Sequence, residues 1–429
     1  MLTPRRSRLA QRSLGLSLLL GFFALSSAQS ATSFDPVLET NKLLATMPAA
    51  ARAQSDAYFE GGYIFQLWNL ALTLIITWAL LRWGVTVKIR NLAERLLSAR
   101  YLQGLLFITL FAVINWVLTL PSDYYEGFIR EHRFGLSNLT PSGWLSEQLK
   151  SLLVGTIIFS LIGSLLYLGI RKSPQRWWVR ASFATPFFII FMMVLAPVFI
   201  APLFNKYTAL TDAKVRDPIL SMARANGVPA DNVYQFDASK QSKRVSANVS
   251  GALNTIRVSL NDNLLNRCSP QEVQAVMGHE LGHYVLNHIY KMVIDFSLLI
   301  CAGFWFTHWF YDWASRRFGA AWGLRGIDDF AGLPLLLAGL AIFMTIATPV
   351  RNTIIRTNEV EADIFGLNAA RQPDGFATTA LKLSEYRKLA PGKWEEIFFF
   401  DHPSGYNRIL MAMRWKAEHL ADITTLPKK

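Results

Sequence analysis

Only two of the 429 residues are cysteine, Cys268 and Cys301, too few for a disulfide framework. Charge is scarce too: Asp, Glu, Lys and Arg make up 17% of the chain against 52% hydrophobic residues, which excludes an ordinary soluble protein. The formal net charge is +13, yet no dense Lys/Arg tract with interleaved aromatics is present, which argues against a nucleic-acid partner. There is no internal repeat and no low-complexity tract. Histidine is rare at seven residues, so any clustering of histidines is informative.

What the chain has in abundance is long apolar runs, at residues 63–81, 102–120, 151–170, 183–204, 292–311 and 330–350, uncharged but for Asp295 in the fifth. Each approaches the ~20 residues a helix needs to cross the hydrocarbon layer. One such run could be a buried core helix, but six make a polytopic membrane protein. Charges sit at their edges: Arg82, Arg171, Lys172, Lys206 and Arg351. Pro186, Pro197 and Pro202 are expected to kink the fourth run. The N-terminus is laid out like a secretory signal peptide, with a basic leader, an apolar centre at 14–25 and small residues at 26–31. An uncleaved first span is the alternative.

The expected organisation is 1–30 signal peptide or first span, 31–61 an extramembrane segment, and 62–204 four spans. Residues 205–290 form a catalytic segment, 291–350 two further spans, and 351–429 a second catalytic segment. Within 205–290, residues 232–236 and 255–260 read as a strand pair, with a turn at 251–254 between them. Basic residues crowd three short loops: Arg82 to Arg100, Arg171 to Arg180, and Arg316 to Arg325. Positive loops are cytoplasmic anchors, so both catalytic segments are expected on the far side, periplasmic if the membrane is a bacterial inner membrane.

The most informative string is His-Glu-Leu-Gly-His at 279–283. On a helix His279 and His283 project from one face and can share one Zn²⁺, with Glu280 reaching a water beside it. That is the layout of metal-assisted hydrolysis, in which zinc acidifies the water and the carboxylate takes its proton. The helix has a clear start: Ser269 as cap, Pro270 at the first position and Glu272 to close a capping box. His288 lies beyond reach of the same metal and reads as a hydrogen-bonding neighbour. A catalytic zinc needs a third protein ligand, and Glu359 is the best candidate. It shares a helix face with Asp363, four residues on, whereas Glu361 points away. Asp363 is then placed to accept the free ring N–H of a ligating histidine.

With these residues in view, the chain resembles the type I CAAX prenyl proteases, integral-membrane zinc metalloproteases of the gluzincin class. The resemblance rests on HELGHYVLNH at 279–288, the spacing from Glu359 to Asp363, and DHPSGYNR at 401–408. It also rests on SKQS at 239–242, SANVSG at 246–251 and APLFNK at 201–206. It implies one zinc per chain on His279, His283 and Glu359, with Glu280 as general base. It implies that His402 and Arg408 contact the peptide backbone or the developing oxyanion, and that Asn248 lies on an edge strand that pairs with an extended substrate. The implied fold is mainly α: a transmembrane helical bundle enclosing a chamber, with a zincin-like catalytic domain carrying a small β-sheet. The implied partners are a peptide or protein substrate and membrane lipid.

The leading expectation is a zinc endopeptidase acting on extended peptides of membrane-bound or secreted proteins. A narrower one is CAAX-type removal of C-terminal residues from lipidated proteins. A transporter with a regulatory zinc is weaker, because the long runs carry almost no ionisable residues.

Overall fold

A single chain segment in lipid can satisfy its backbone only as a helix, and the apolar runs obey this. The computed structural model describes residues 34–251 and 256–424, and the leader expected at 1–30 lies outside them. Among the described residues, five helices are long and apolar enough to cross a membrane. They contain α1 (Ala49–Arg82), α3 (Arg100–Tyr124), α4 (Pro141–Lys172), α5 (Trp177–Leu195) and, after the sheet, α7 (His288–Phe318). Between α1 and α3 lies the amphipathic α2 (Val85–Leu96). The fourth span continues past α5 through a π-turn at Ala196–Ile200, which contains Pro197. None of its apolar window is buried, and Phe183, Phe187 and Phe191 are 75%, 64% and 57% exposed. Surface of that kind has lipid as its solvent.

The sixth run departs from a simple span. Helix α8 (Leu333–Ile346) stops, the chain bends by 57°, and α9 (Thr348–Ala370) continues. Pro349 stands in the first turn of α9, where its missing N–H costs nothing to the new helix but cannot prolong the old one. The bend steers α9, with Glu359, toward the extramembrane domain.

The membrane helices close on one another. Helix α1 packs on α8, α8 on α7, α7 on α5, α5 on α4 and α4 on α3, while α2 bridges the slight gap between α3 and α1. One end of this ring is plugged by a core that includes Leu81, Phe107, Ile108, Ile170, Tyr311 and Phe330. Arg90 of α2 and Asp329, 5% and 6% exposed, pair there at 2.5 Å. Arg100 and Arg325 both hold Glu94, at 3.0 and 2.9 Å, so the basic loops gather at this end. Helix α7, 31 residues and thus about 45 Å long, separates it from His288.

At the other end sits a four-stranded sheet, ordered β1 (Tyr207–Ala209), β2 (Val233–Phe236), β4 (Arg257–Asn261), β3 (Ala247–Ser250). The two expected strands are neighbours but run parallel, so they are not a hairpin. The antiparallel partner of β4 is β3, whose four residues are too few for a readable alternation. The edge position falls to β3. Against the sheet packs α6 (Pro270–Val285), started by the expected capping box.

Candidate metal centre

Helices α6 and α9 cross at glycine. A Cβ on Gly366 would lie 2.7 Å from the backbone N of His279, and one on Gly278 would lie 3.0 Å from the carbonyl O of Gly366. One turn on, Gly282 faces Ala362 and Phe365 as closely. Only glycine permits such an approach, and the approach is what lets a carboxylate on α9 reach imidazoles on α6. Sequence reasoning missed these glycines. Their signal was Gly278 and Gly282 spaced i, i+4 inside a helix, where glycine otherwise only weakens it.

The crossing brings His279 Nε2 to 3.1 Å from His283 Nε2 and 3.3 Å from Glu359 Oε2. His283 Nε2 is 3.5 Å from Glu359 Oε1. Bonds of about 2.0–2.1 Å in a tetrahedral arrangement put ligand atoms roughly 3.3–3.4 Å apart, so the donor set fits a zinc-sized ion. Two further observations agree. The two imidazole Nε2 atoms face each other, and buried Glu359 Oε2 has no well-aligned donor among the described residues, only the ring nitrogens of His279 and His402 at 3.3 and 3.2 Å. Burial works against a charge on His279, yet Asp363 and Glu359 outweigh it and hold its pKa up at about 10. The pocket is short of positive charge.

Both histidine ligands are held from behind. His279 Nδ1 donates to Asp363 Oδ1 (2.7 Å), which also accepts from Arg408 Nη2 (2.5 Å), and Asp363 is fully buried. Arg408 projects from α10 (Gly405–Glu418), and its guanidinium lies 5.1 Å from the centre of the Phe376 ring. His283 Nδ1 meets His288 Nδ1 at 2.9 Å. Glu361 turns away from the metal ligands and binds His288 and Lys291 instead. Burial pushes His283 down to about 4, which keeps its imidazole neutral, as a metal ligand must be.

Glu280 opens onto a cleft whose walls include Ser246, Ala247, His279, His402 and Arg408. Burial, opposed by His279, pushes its carboxyl up to about 7, within the range suited to a general base. The His402 ring lies between two carboxylates, 2.8 Å from Asp401 Oδ1 and 3.2 Å from Glu359 Oε2. Its loop is pinned to α9 by Arg356, which donates to the carbonyls of Glu396 and Phe400 at 2.9 and 2.6 Å. Asn248 sits in the edge strand β3, one residue past the cleft-lining Ala247, and does not itself line the cleft. The structure thus gathers His279, Glu280, His283, Glu359, Asp363, His402 and Arg408 around one point and leaves Asn248 beside it.

Comparison with known proteins agrees with this architecture. Residues 40–206 match the family described as CAAX prenyl protease N-terminal, five membrane helices, and residues 209–416 match peptidase family M48. An uncharacterized metalloprotease of Bacillus subtilis, YhfN, is 28% identical over 91% of this chain and 90% of its own length. CAAX prenyl protease 1 of Saccharomyces cerevisiae is 32% identical over 62% of this chain and 60% of the yeast protein. The crystal structure of S. mikatae Ste24p superposes with a TM-score of 0.74 at 24% identity, covering 86% of this chain and 90% of that one, which shows the shared fold.

Proposed function

The chain belongs to the M48 family of membrane metalloproteases, in the branch of the CAAX prenyl proteases, and from that premise we propose that it is a zinc peptidase that trims membrane-anchored polypeptides near their C-terminus. The observation that carries the reading is the spacing of His279, His283 and Glu359 beside Glu280 on a strand-edged cleft. Zinc held there would supply Lewis-acid polarisation of the scissile carbonyl and a more acidic water.

The chain's own residues would do the rest. Glu280 takes a proton from the water and passes it to the departing amine, a task for which its raised pKa suits it. The free edge of β3, around Ala247 and Asn248, pairs with an extended peptide by β-augmentation. Arg408, fixed by Asp363, and His402 face the cleft as donors for the charge that develops on the carbonyl oxygen.

A broader reading, an endopeptidase for any extended peptide, would use the same machinery. Family and fold favour the narrower, CAAX-type one. The gathering of basic loops at the end remote from the cleft favours an orientation with the catalytic segments away from the cytoplasm. Purified protein should shorten a peptide ending in a lipidated cysteine and three further residues, in a zinc-dependent way, and should cut its unlipidated twin more slowly. Equal cutting of the two would favour the broader reading, and cutting of neither would refute both.

A further inference from the structure

The two imidazole ligands are held by different devices, and the second has a readable proton order. Glu361 accepts from Lys291 Nζ (2.7 Å) and lies 3.0 Å from His288 Nε2. An ionised carboxylate can only accept, so a neutral His288 carries its proton on Nε2 and presents a bare Nδ1. That bare nitrogen lies 2.9 Å from His283 Nδ1, which must therefore be the donor. His283 then keeps its lone pair on Nε2, the atom facing His279 and Glu359. We infer that His288 is a positioning residue that sets the tautomer and ring angle of the metal ligand His283, with Glu361 setting the tautomer of His288.

The backbone is shaped for this contact. On an unbroken helix, residues five apart point about 140° away from each other, and His288 would face off the site. The helix instead ends after Val285, and Asn287 takes a left-handed conformation, φ 56°, before α7 starts at His288. Asn accepts that conformation more readily than most residues. The turn brings the His288 ring back over His283 and leaves it 1% exposed. A buried imidazole so placed, with both nitrogens bonded, is not packing filler.

The inference rests on the zinc site proposed above, and its test separates the two. Full-length protein loaded with zinc is mixed with excess chelator and the release rate followed, and the cobalt-substituted protein gives a visible spectrum. His288→Phe fills the space without an acceptor and should release zinc ~10–100-fold faster, the usual range for losing such a partner, with a shifted cobalt spectrum. His288→Asn, whose Oδ1 can take the place of Nδ1, should stay close to wild type in both. Glu361 is half-exposed, so changes there spare the fold: Glu361→Leu should speed release and Glu361→Gln should not. The inference is overturned if His288→Phe matches wild type, or if the Gln and Leu variants at 361 behave alike. Failure of the wild-type chain to hold zinc would instead refute the metal site.

Discussion

Substituting Gly366 by Ala adds one methyl group at the crossing of α6 and α9, and the structure fixes what it meets. The new Cβ would lie 2.7 Å from the backbone N and 2.9 Å from the Cα of His279. Neither atom can swing aside, since both belong to a helix backbone. Ordinary contact begins near 3.4 Å, so the helices must part by 3.4 − 2.7, or 0.7 Å. Metal–ligand distances tolerate about 0.2 Å, and Glu359 rides on the helix that moves. Gly366→Ala should therefore lower zinc affinity by at least ~10-fold, the lower bound for disturbing a ligand's support. Stability is pulled both ways: overpacking costs about 1–3 kcal/mol, and removing a helical glycine returns about 1. Gly155→Ala is the control, for nothing lies within 4 Å of a Cβ there. Isothermal titration with zinc, alongside thermal unfolding of both variants, decides the matter. Zinc affinity of Gly366→Ala within twofold of wild type would refute the idea that glycine contact sets the ligand geometry.

Three other outcomes are expected. Glu280→Gln should keep zinc and lose ~10²–10⁴-fold in turnover, because an amide cannot take a proton; metal content and peptide cleavage measured on one preparation check both halves. Glu359→Ala should lose most zinc, while Glu361→Ala, whose carboxylate lies on His288 and Lys291, should still fill to one zinc per chain at saturation; equal loss in the two would contradict the ligand assignment. A reporter active only outside the cytoplasm should be active when fused after Lys429 and silent when fused after Ser98, between α2 and α3, and the reverse pattern would put the cleft in the cytoplasm.

Much of this molecule is readable from local pattern. The capping box at Ser269 and Glu272, the i, i+4 pair of histidines and five of the six long apolar runs are short-range signals that appear where the pattern put them. The pairing of Asp363 with His279 also follows from local spacing, once Glu359 is taken as a ligand. Long-range features are harder. The parallel order of β2 and β4 depends on a crossover, and β3 is too short to announce itself. The bend at Ala347 falls inside a continuous apolar run, marked in the sequence by Pro349 two residues on. His402 and Arg408 reach the cleft from a loop and a distant helix, and nothing in their own neighbourhoods marks them; they were found only through family resemblance. The meaning of Gly278, Gly282 and Gly366 exists only when two helices are laid together.

The central claim is that His279, His283 and Glu359 hold one zinc ion on which hydrolysis depends. Its most direct measurement is a titration of metal-stripped, purified protein with zinc, following peptide cleavage and bound metal together. Cleavage should be absent at the start, rise in proportion to bound zinc, and level off at one ion per chain, while His283→Ala should show neither binding nor cleavage. Cleavage that persists without metal, or that survives in His283→Ala, would contradict the account.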